Sequence, residues 1–139
     1  MGRNCDMITD DDRVELGAIA GLCHGLEYVG SRITCDPPVT NTDKDILCLT
    51  LDHPRVIQEA STLGYVQAGS VPCDRFDIEK SKSQFLSFRK NTINLIVTDQ
   101  GQFFDKFMAA TSVAKKLNLL KKEDRIHLFQ AVLYANPWI

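Results

Sequence analysis

The hydrophobic positions of the chain recur with two different periods, and the change of period predicts the element order. After the acids at residues 10–12, apolar side chains at three- and four-residue steps predict an amphipathic helix over about residues 11–26. The apolar run at residues 45–51 is too short for a helix and is typical of a strand buried on both faces. Pro54 suits the first turn of a following helix that Gly64 ends.

Shorter segments predict the remaining strands. Residues 28–29 and residues 65–70 have strand-like composition and alternation. Residues 85–89 and Ile93–Thr98 predict a hairpin whose turn lies at residues 90–91. Together with residues 45–51, these segments supply the strands of the predicted sheet.

The last third of the chain is predicted to be helical. Stripes with a 3.6-residue period run over residues 103–114 and 123–134, and residues 32–42 are predicted to form a loop. The order of elements predicts a single domain over residues 1–139 of the α/β or α+β class. It is expected to have a mixed β-sheet flanked by helices, with two helices at the C-terminal end.

Composition and charge narrow the function classes. The 139 residues are 44% hydrophobic and 24% charged, as in a soluble globular domain. The formal net charge of -2 gives no overall positive field for polynucleotides or anionic lipid, so any nucleic-acid contact must come from a local patch. The five cysteines form no C-x-x-C pair, and no basic leader or long apolar run occurs. We therefore expect a cytoplasmic protein with reduced thiols that is neither secreted nor membrane-spanning.

One compound pattern between residues 28 and 49 carries chemistry. Asp43 and Asp45 lie two apart at the start of the buried strand, so the strand period places both carboxylates on one face. Two bare carboxylates held together repel, so a divalent cation between them would stabilise the pair. Their hard oxygen ligands favour Mg²⁺ or Mn²⁺. The sequence therefore predicts a metal site at Asp43 and Asp45.

A second part of the pattern precedes the acids by about a dozen residues. Gly30 allows the backbone to approach a phosphate closely, Ser31 adds a hydroxyl group, and Arg32 adds a forked cationic donor. Mg²⁺ typically shares its coordination between carboxylates and substrate phosphates. We therefore expect Gly30, Ser31 and Arg32 to hold the β- and γ-phosphates of a nucleoside triphosphate opposite the metal site.

Over residues 28–51 this pattern resembles the nucleotidyltransferase superfamily typified by DNA polymerase β: Gly-Ser, a dozen residues, then acid-x-acid and hydrophobics. It also resembles small nucleotidyltransferase-like proteins of tailed bacteriophages, whose short chains end in two helices. The resemblance implies the nucleotidyltransferase fold and a triphosphate held at Gly30 and Ser31. It further implies catalytic metal ions at Asp43 and Asp45, and a host cytoplasm as the location of a phage-encoded protein.

The sequence departs from the pattern of the superfamily at the third carboxylate. Its expected place, on a neighbouring strand, is occupied by Asn94. An amide oxygen can coordinate a metal, but an amide cannot take the proton from an attacking hydroxyl group. Asp99 lies on the opposite strand face from Asn94, and Asp77 lies in loop-like sequence. We therefore predict Asn94 as the third ligand position, or as the mark of its loss.

Three functions follow as alternatives. The first is a Mg²⁺-dependent nucleotidyltransferase that transfers a nucleotidyl group to a hydroxyl acceptor, which is an RNA, a protein or a small molecule. The second is a catalytically impaired binding or inhibitory module, such as a phage accessory protein acting through a nucleotide or a host partner. The third is a metal-free interaction domain. A homo-oligomer or a host protein that completes the site is compatible with the short chain.

The remaining basic, histidine and aromatic side chains are expected to lie on solvated surfaces or in the core rather than in a functional site. Arg89 and Lys90 are interpreted as a solvated hairpin end, with contact to phosphate as the alternative, and His24 is interpreted as a residue of the first helix. The basic cluster is interpreted as a solvated face, with a patch for RNA or another acidic partner as the alternative; it comprises Lys115, Lys116, Lys121, Lys122 and Arg125. The aromatic residues at helical spacing are expected in the core rather than on a base-stacking platform; they are Phe103, Phe104, Phe107 and Phe129.

Overall fold

Five strands form one mixed sheet in the computed structural model, which describes residues 8–38, 43–67 and 85–134. The strands are β1 Cys23–Val29, β2 Lys44–Thr50, β3 Val66–Gln67, β4 Leu86–Lys90 and β5 Ile93–Thr98. Their spatial order is β1-β2-β5-β4-β3. The central pair β2 and β5 is parallel, and all other neighbours are antiparallel.

Helices cover both faces of this sheet. They are α1 Asp10–Leu16, α2 Ser31–Thr34, α3 His53–Thr62, α4 Gly101–Leu117 and α5 Lys122–Tyr134, with a 3-10 helix at Gly17–Leu22. One apolar cluster joins the sheet to α1 and α3, and a second joins it to α4 and α5. None of the described helices is both long enough and apolar enough to cross a membrane.

Strand β2 lies between the two apolar clusters. Ile46 and Cys48 pack on the α1 and α3 side, and Leu47 packs on the α4 and α5 side, all with no exposed surface. The prediction of a strand buried on both faces is therefore confirmed. By the same alternation Asp43 and Asp45 share the face of Leu47, and Lys44 lies on the other face.

The predicted helix over residues 11–26 is wrong in its second half. Helix α1 ends at Leu16 because Gly17 takes a φ of 54°, and residues 23–29 form β1 instead of a helix. The predicted two-residue strand at 28–29 is therefore longer, and His24 lies on β1. Glycine destabilises a helix by about 1 kcal/mol per position, so the glycines of this segment disfavour a continuous helix. Gly25 also leaves the space that the Phe104 ring fills, since a Cβ there would lie 2.6 Å from that ring.

Most other element predictions are confirmed. Helices α3, α4 and α5 and the β4–β5 hairpin form as expected. The hairpin turn lies one residue later than predicted, at Asn91-Thr92, where Asn91 adopts a left-handed φ of 54°. Within the predicted loop, residues 31–34 form α2, and residues 39–42 lie outside the described ranges. Of the predicted strand at 65–70 only β3 is described, and residues 68–70 and Asp77 lie outside those ranges.

Candidate functional site

A cavity of about 250 Å³ lies on the α4 and α5 side of the sheet. It opens where β1 ends and where β2 and β5 begin. Five residues that the sequence singles out line it together: Gly30, Ser31, Asp43, Asp45 and Asn94. Arg32, on α2, is not among the described residues that line the cavity. The fold thus brings the glycine-serine bend and both acids to one place.

Gly30 packs directly against Asp45. It adopts a φ of 85° after β1 ends at Val29, and a Cβ on it would lie 2.1 Å from Asp45 Oδ2. Val29 is also the Cα partner of Asp45 in the antiparallel β1–β2 pair. Glycine is therefore required at this position for two reasons, the left-handed backbone and the contact with the carboxylate.

Each acid accepts a hydrogen bond from a side chain of the neighbouring hairpin. Arg89 Nη1 donates to Asp43 Oδ2 at 2.6 Å, and Asn94 Nδ2 donates to Asp45 Oδ1 at 2.9 Å. Asp45 and Asn94 are Cα partners in the parallel β2–β5 pair, and Asn94 and Arg89 are Cα partners in the β4–β5 hairpin. Directly paired residues lie on the same face of a sheet, so register alone positions this row of side chains.

The amide oxygen of Asn94 stands out in this row. Asn94 Oδ1 is buried and has no hydrogen-bond partner among the described residues. Leaving a buried acceptor unsatisfied costs about 1–3 kcal/mol. Asn94 contacts Asp45 through its Nδ2, and a cation held at this site would satisfy the amide oxygen, since amide and carboxylate oxygens are the hard ligands that Mg²⁺ prefers.

A third carboxylate does not join Asp43 and Asp45 within the described ranges. There, no cluster of three or more His, Cys, Asp or Glu side chains is suited to a metal. Asp99 is exposed beyond the far end of β5, with its Oδ2 3.6 Å from His53 Nδ1, and it does not line the cavity. The residue that stands beside the acids on the neighbouring strand is Asn94, where the sequence analysis expects the third ligand.

The cavity has an excess of positive charge. Arg89, Lys122 and Arg125 line it beside the two carboxylates, although the whole protein carries a net charge of -2. Arg125 Nη1 donates to three uncharged acceptors, the carbonyl oxygens of Leu119 and Leu120 at 2.8 and 2.9 Å and the Sγ of Cys35 at 3.3 Å. Arg89 and Lys122 are exposed, as expected of solvated surfaces, and all three cations also line the cavity, which the sequence left as the alternative for Arg89.

An aromatic wall closes the inner side of the cavity. Phe103, Phe107 and Phe129 line it and are buried, as the core prediction requires. Phe85 stacks on Phe103 with ring centroids 5.2 Å apart and an interplanar angle of 16°. The cavity therefore combines a charged end on the sheet with an apolar end between α4 and α5.

Comparison with known proteins supports the fold class. No protein-family model matches the chain, and a search of curated proteins found no match. Among solved structures the chain is similar to the conserved protein GrpB from Enterococcus faecalis, with 16% identity and a TM-score of 0.55. The similarity covers 89% of this chain and 88% of that chain. The protein therefore has an α+β fold with a mixed five-stranded sheet flanked by helices, which is consistent with the predicted nucleotidyltransferase-like fold. The resemblance to phage proteins stays a prediction.

Proposed function

We propose that the protein binds a nucleoside triphosphate together with Mg²⁺ or Mn²⁺ in this cavity and transfers the nucleotidyl group to a hydroxyl acceptor. The observation that supports the proposal most is the meeting of the Gly30-Ser31 bend with Asp43, Asp45 and Asn94 around one cavity. These groups lie between β1 and α2, at the start of β2 and on β5, and the contact between Gly30 and Asp45 leaves no room for a side chain between bend and acid.

The donor set fits a hard divalent cation. The carboxylates of Asp43 and Asp45 and the unsatisfied Oδ1 of Asn94 would hold it. When bound, such a cation would neutralise the paired acids and polarise the phosphoryl group that is attacked. The acids and the amide are therefore the residues whose loss should abolish binding of a metal–nucleotide complex.

The remaining lining residues suit the anionic part of the substrate. Ser31 offers a hydroxyl group at the bend, and Arg89, Lys122 and Arg125 offer positive charge around the same cavity. Arg32 lies one residue beyond Ser31 and outside the lining. We therefore assign the phosphate contacts to these three cations as well as to Gly30 and Ser31, and leave Arg32 a peripheral role.

The proposed reaction forms a bond between the acceptor oxygen and the α-phosphorus of the nucleotide. The bond from that phosphorus to its bridging oxygen breaks, and pyrophosphate leaves with the electron pair. The hydroxyl proton passes to solvent water, since the Asn94 amide cannot accept it and the described residues supply no third carboxylate to the cavity. Such a site would be a slow catalyst compared with one that has a positioned base.

A second candidate function is a nucleotide-binding or inhibitory module that performs no transfer. The specific observation in its favour is that Asn94 donates to Asp45 at 2.9 Å in the place where the superfamily has an acid. A protein of this kind would bind a nucleotide or a partner through the cavity. It would leave the triphosphate intact.

The binding proposal is tested by the double variant Asp43→Asn plus Asp45→Asn. Calorimetry with Mg²⁺ and non-hydrolysable analogues of ATP, GTP, CTP and UTP should show binding to the wild type. We expect the double variant to lose more than about 100-fold in affinity, since even outer-shell partners of a metal contribute about 10–100-fold.

The matched control removes the same charge elsewhere. Asp11 and Asp105 are exposed and do not line the cavity, so Asp11→Asn plus Asp105→Asn should bind like the wild type. Equal affinity of the wild type and the cavity variant would refute the proposal and leave the metal-free interaction domain.

Incubation with labelled nucleoside triphosphates, Mg²⁺ or Mn²⁺ and a cell lysate separates the nucleotidyltransferase from the binding module. Label on RNA, protein or a small molecule supports transfer, and binding without label supports the module.

A further inference from the structure

The two acids of the cavity are engaged by donors of different exposure. The ion pair between Arg89 and Asp43 is half-solvated, with 52% of the arginine and 34% of the aspartate side chain exposed. The hydrogen bond from Asn94 to Asp45 is partly buried. A half-solvated pair is weak because water screens it and the long side chain loses entropy, so a stronger partner can draw Arg89 away at little cost.

A polyphosphate is such a partner for Arg89. The planar guanidinium group forms two parallel hydrogen bonds with phosphate oxygens as readily as with a carboxylate, and a polyphosphate carries more negative charge than one aspartate. Arg89 lines the same cavity as Ser31, Lys122 and Arg125, so an anion held by those groups lies within the same space. The arginine therefore has two competing partners, Asp43 and an anion in the cavity.

Asp43 also has two competing partners. While the guanidinium neutralises its Oδ2 at 2.6 Å, a divalent cation must displace a positive charge before it can use that oxygen. Loss of the arginine to an anion would return the full negative charge to the carboxylate. Entry of the anion would thus prepare the acid for the metal.

From this competition we infer that Arg89 is a gate that weakens cation binding at Asp43 until a polyphosphate occupies the cavity. The inference rests on the proposed function and adds to it an order of assembly, with anion first and cation second. Because such coupling is reciprocal, a bound cation also strengthens the hold on the anion by the same factor. A protein with this gate would bind a divalent cation up to about fivefold more weakly alone than with a polyphosphate in the cavity.

The test measures pyrophosphate binding in the presence of a chelator, so that no metal takes part. If Arg89 must leave Asp43 to contact the anion, Asp43→Asn should tighten pyrophosphate binding about fivefold, the upper range for an exposed ion pair. The same substitution in an Arg89→Gln background should change the affinity less than about twofold, since no arginine is then released. Arg89→Lys keeps the charge without the fork and should give an intermediate gain.

Lys122→Gln is the matched control, because Lys122 lines the cavity, forms no ion pair with Asp43 or Asp45 in the described part of the chain, and its variant removes the same charge. In that background Asp43→Asn should keep its full gain. An equal gain in the Arg89→Gln and Lys122→Gln backgrounds would overturn the gate, as would a wild type that binds no pyrophosphate. In a second arm, spin-resonance titration of Mn²⁺ alone should show tighter binding to Arg89→Gln than to Lys122→Gln, and the reverse order would also overturn it.

The two proposals can fail separately. If the wild type binds no Mg²⁺–nucleotide complex but the pyrophosphate cycle shows the Arg89-dependent gain, the proposed function fails and the gate stands. If nucleotide binding depends on Asp43 and Asp45 but the cycle is additive, the gate fails and the proposed function stands.

Discussion

The three consecutive residues 43–45 contribute to a charged cluster on each face of β2, and the two clusters differ in how completely their polar groups are paired. On the α1 side, Lys44 Nζ donates to Asp12 Oδ1 at 2.8 Å, and the Tyr28 hydroxyl donates to Asp12 Oδ2. We call Asp12, Lys44 and Tyr28 the closed cluster. On the cavity side, Asp43 and Asp45 are partly exposed, and Asp45 accepts a hydrogen bond from Asn94, whose amide oxygen no described residue satisfies.

The closed cluster has the features of a stabilising contact, whereas the cavity face has those of a binding site. Both carboxylate oxygens of Asp12 have donors, and Asp12 is only 3% exposed. A buried polar network in which every group is paired rigidifies the fold, whereas an unsatisfied buried group costs stability. The cavity face therefore has the construction expected of a ligand site, and the closed cluster that of an anchor between α1 and the first residue of β2.

Removal of Asp12 should have the largest effect on folding. Asp12→Ala leaves the Lys44 ammonium without its partner. We expect a loss of about 3 kcal/mol in the free energy of unfolding, at the lower end of the roughly 3–5 kcal/mol for a buried pair because Lys44 is 30% exposed. Urea denaturation measures this loss.

Asp11→Ala is the control for this substitution, since Asp11 lies in the same first turn of α1 but is exposed. It should leave the free energy of unfolding nearly unchanged. Equal unfolding midpoints for the Asp12 and Asp11 variants would mean that the closed cluster does not anchor α1.

Addition of one methyl group at Gly30 should disturb the cavity face and leave the closed cluster intact. Gly30→Ala places a Cβ where Asp45 Oδ2 lies, on a backbone with positive φ, so we expect a loss of about 2 kcal/mol and a loss of nucleotide binding. Gly64 has a similar φ of 94° with nothing within 4 Å of an added Cβ. Gly64→Ala should therefore show the backbone strain alone, about 1 kcal/mol, with binding retained in calorimetry. Loss of binding in both variants, or in neither, would contradict the assigned contact.

The same two faces show why local pattern predicts some elements and not others. The prediction of β2 as a strand is correct because a strand buried on both faces has consecutive apolar residues instead of alternating apolar and polar ones. Residues 23–26 have apolar spacing that also fits a helix, and pairing of β1 with β2, interrupted by a register shift between Cys23 and Gly25, decides the outcome in favour of a strand. Such tertiary pairing cannot be deduced from the period of one segment.

The cavity was predictable where spacing along one strand is enough, and not where it depends on register. Asp43 and Asp45 need only the two-residue period of β2. Arg89 stands opposite Asn94 only because the hairpin turns at Asn91-Thr92, and a turn one residue earlier would have paired Arg89 with Thr92. Lys122 and Arg125 come from α5, whose approach to the sheet depends on the packing of α4.

The smallest expected effect is on the pH dependence of the free energy of unfolding, to which Asp12 of the closed cluster contributes. Burial alone would raise the pKa of Asp12, but hydrogen bonds from Lys44 and Tyr28 and the charge of Lys44 outweigh it, so the pKa lies below its usual 3.8. A carboxyl group whose pKa is lowered by folding contributes stability fully above its unfolded pKa and loses it as the pH falls through the folded pKa. The wild type should therefore lose stability more steeply than Asp12→Asn below about pH 4. Urea midpoints at pH 6, 5, 4 and 3.5 measure the two slopes, and parallel slopes would mean that Lys44 and Tyr28 do not favour the ionised form of Asp12.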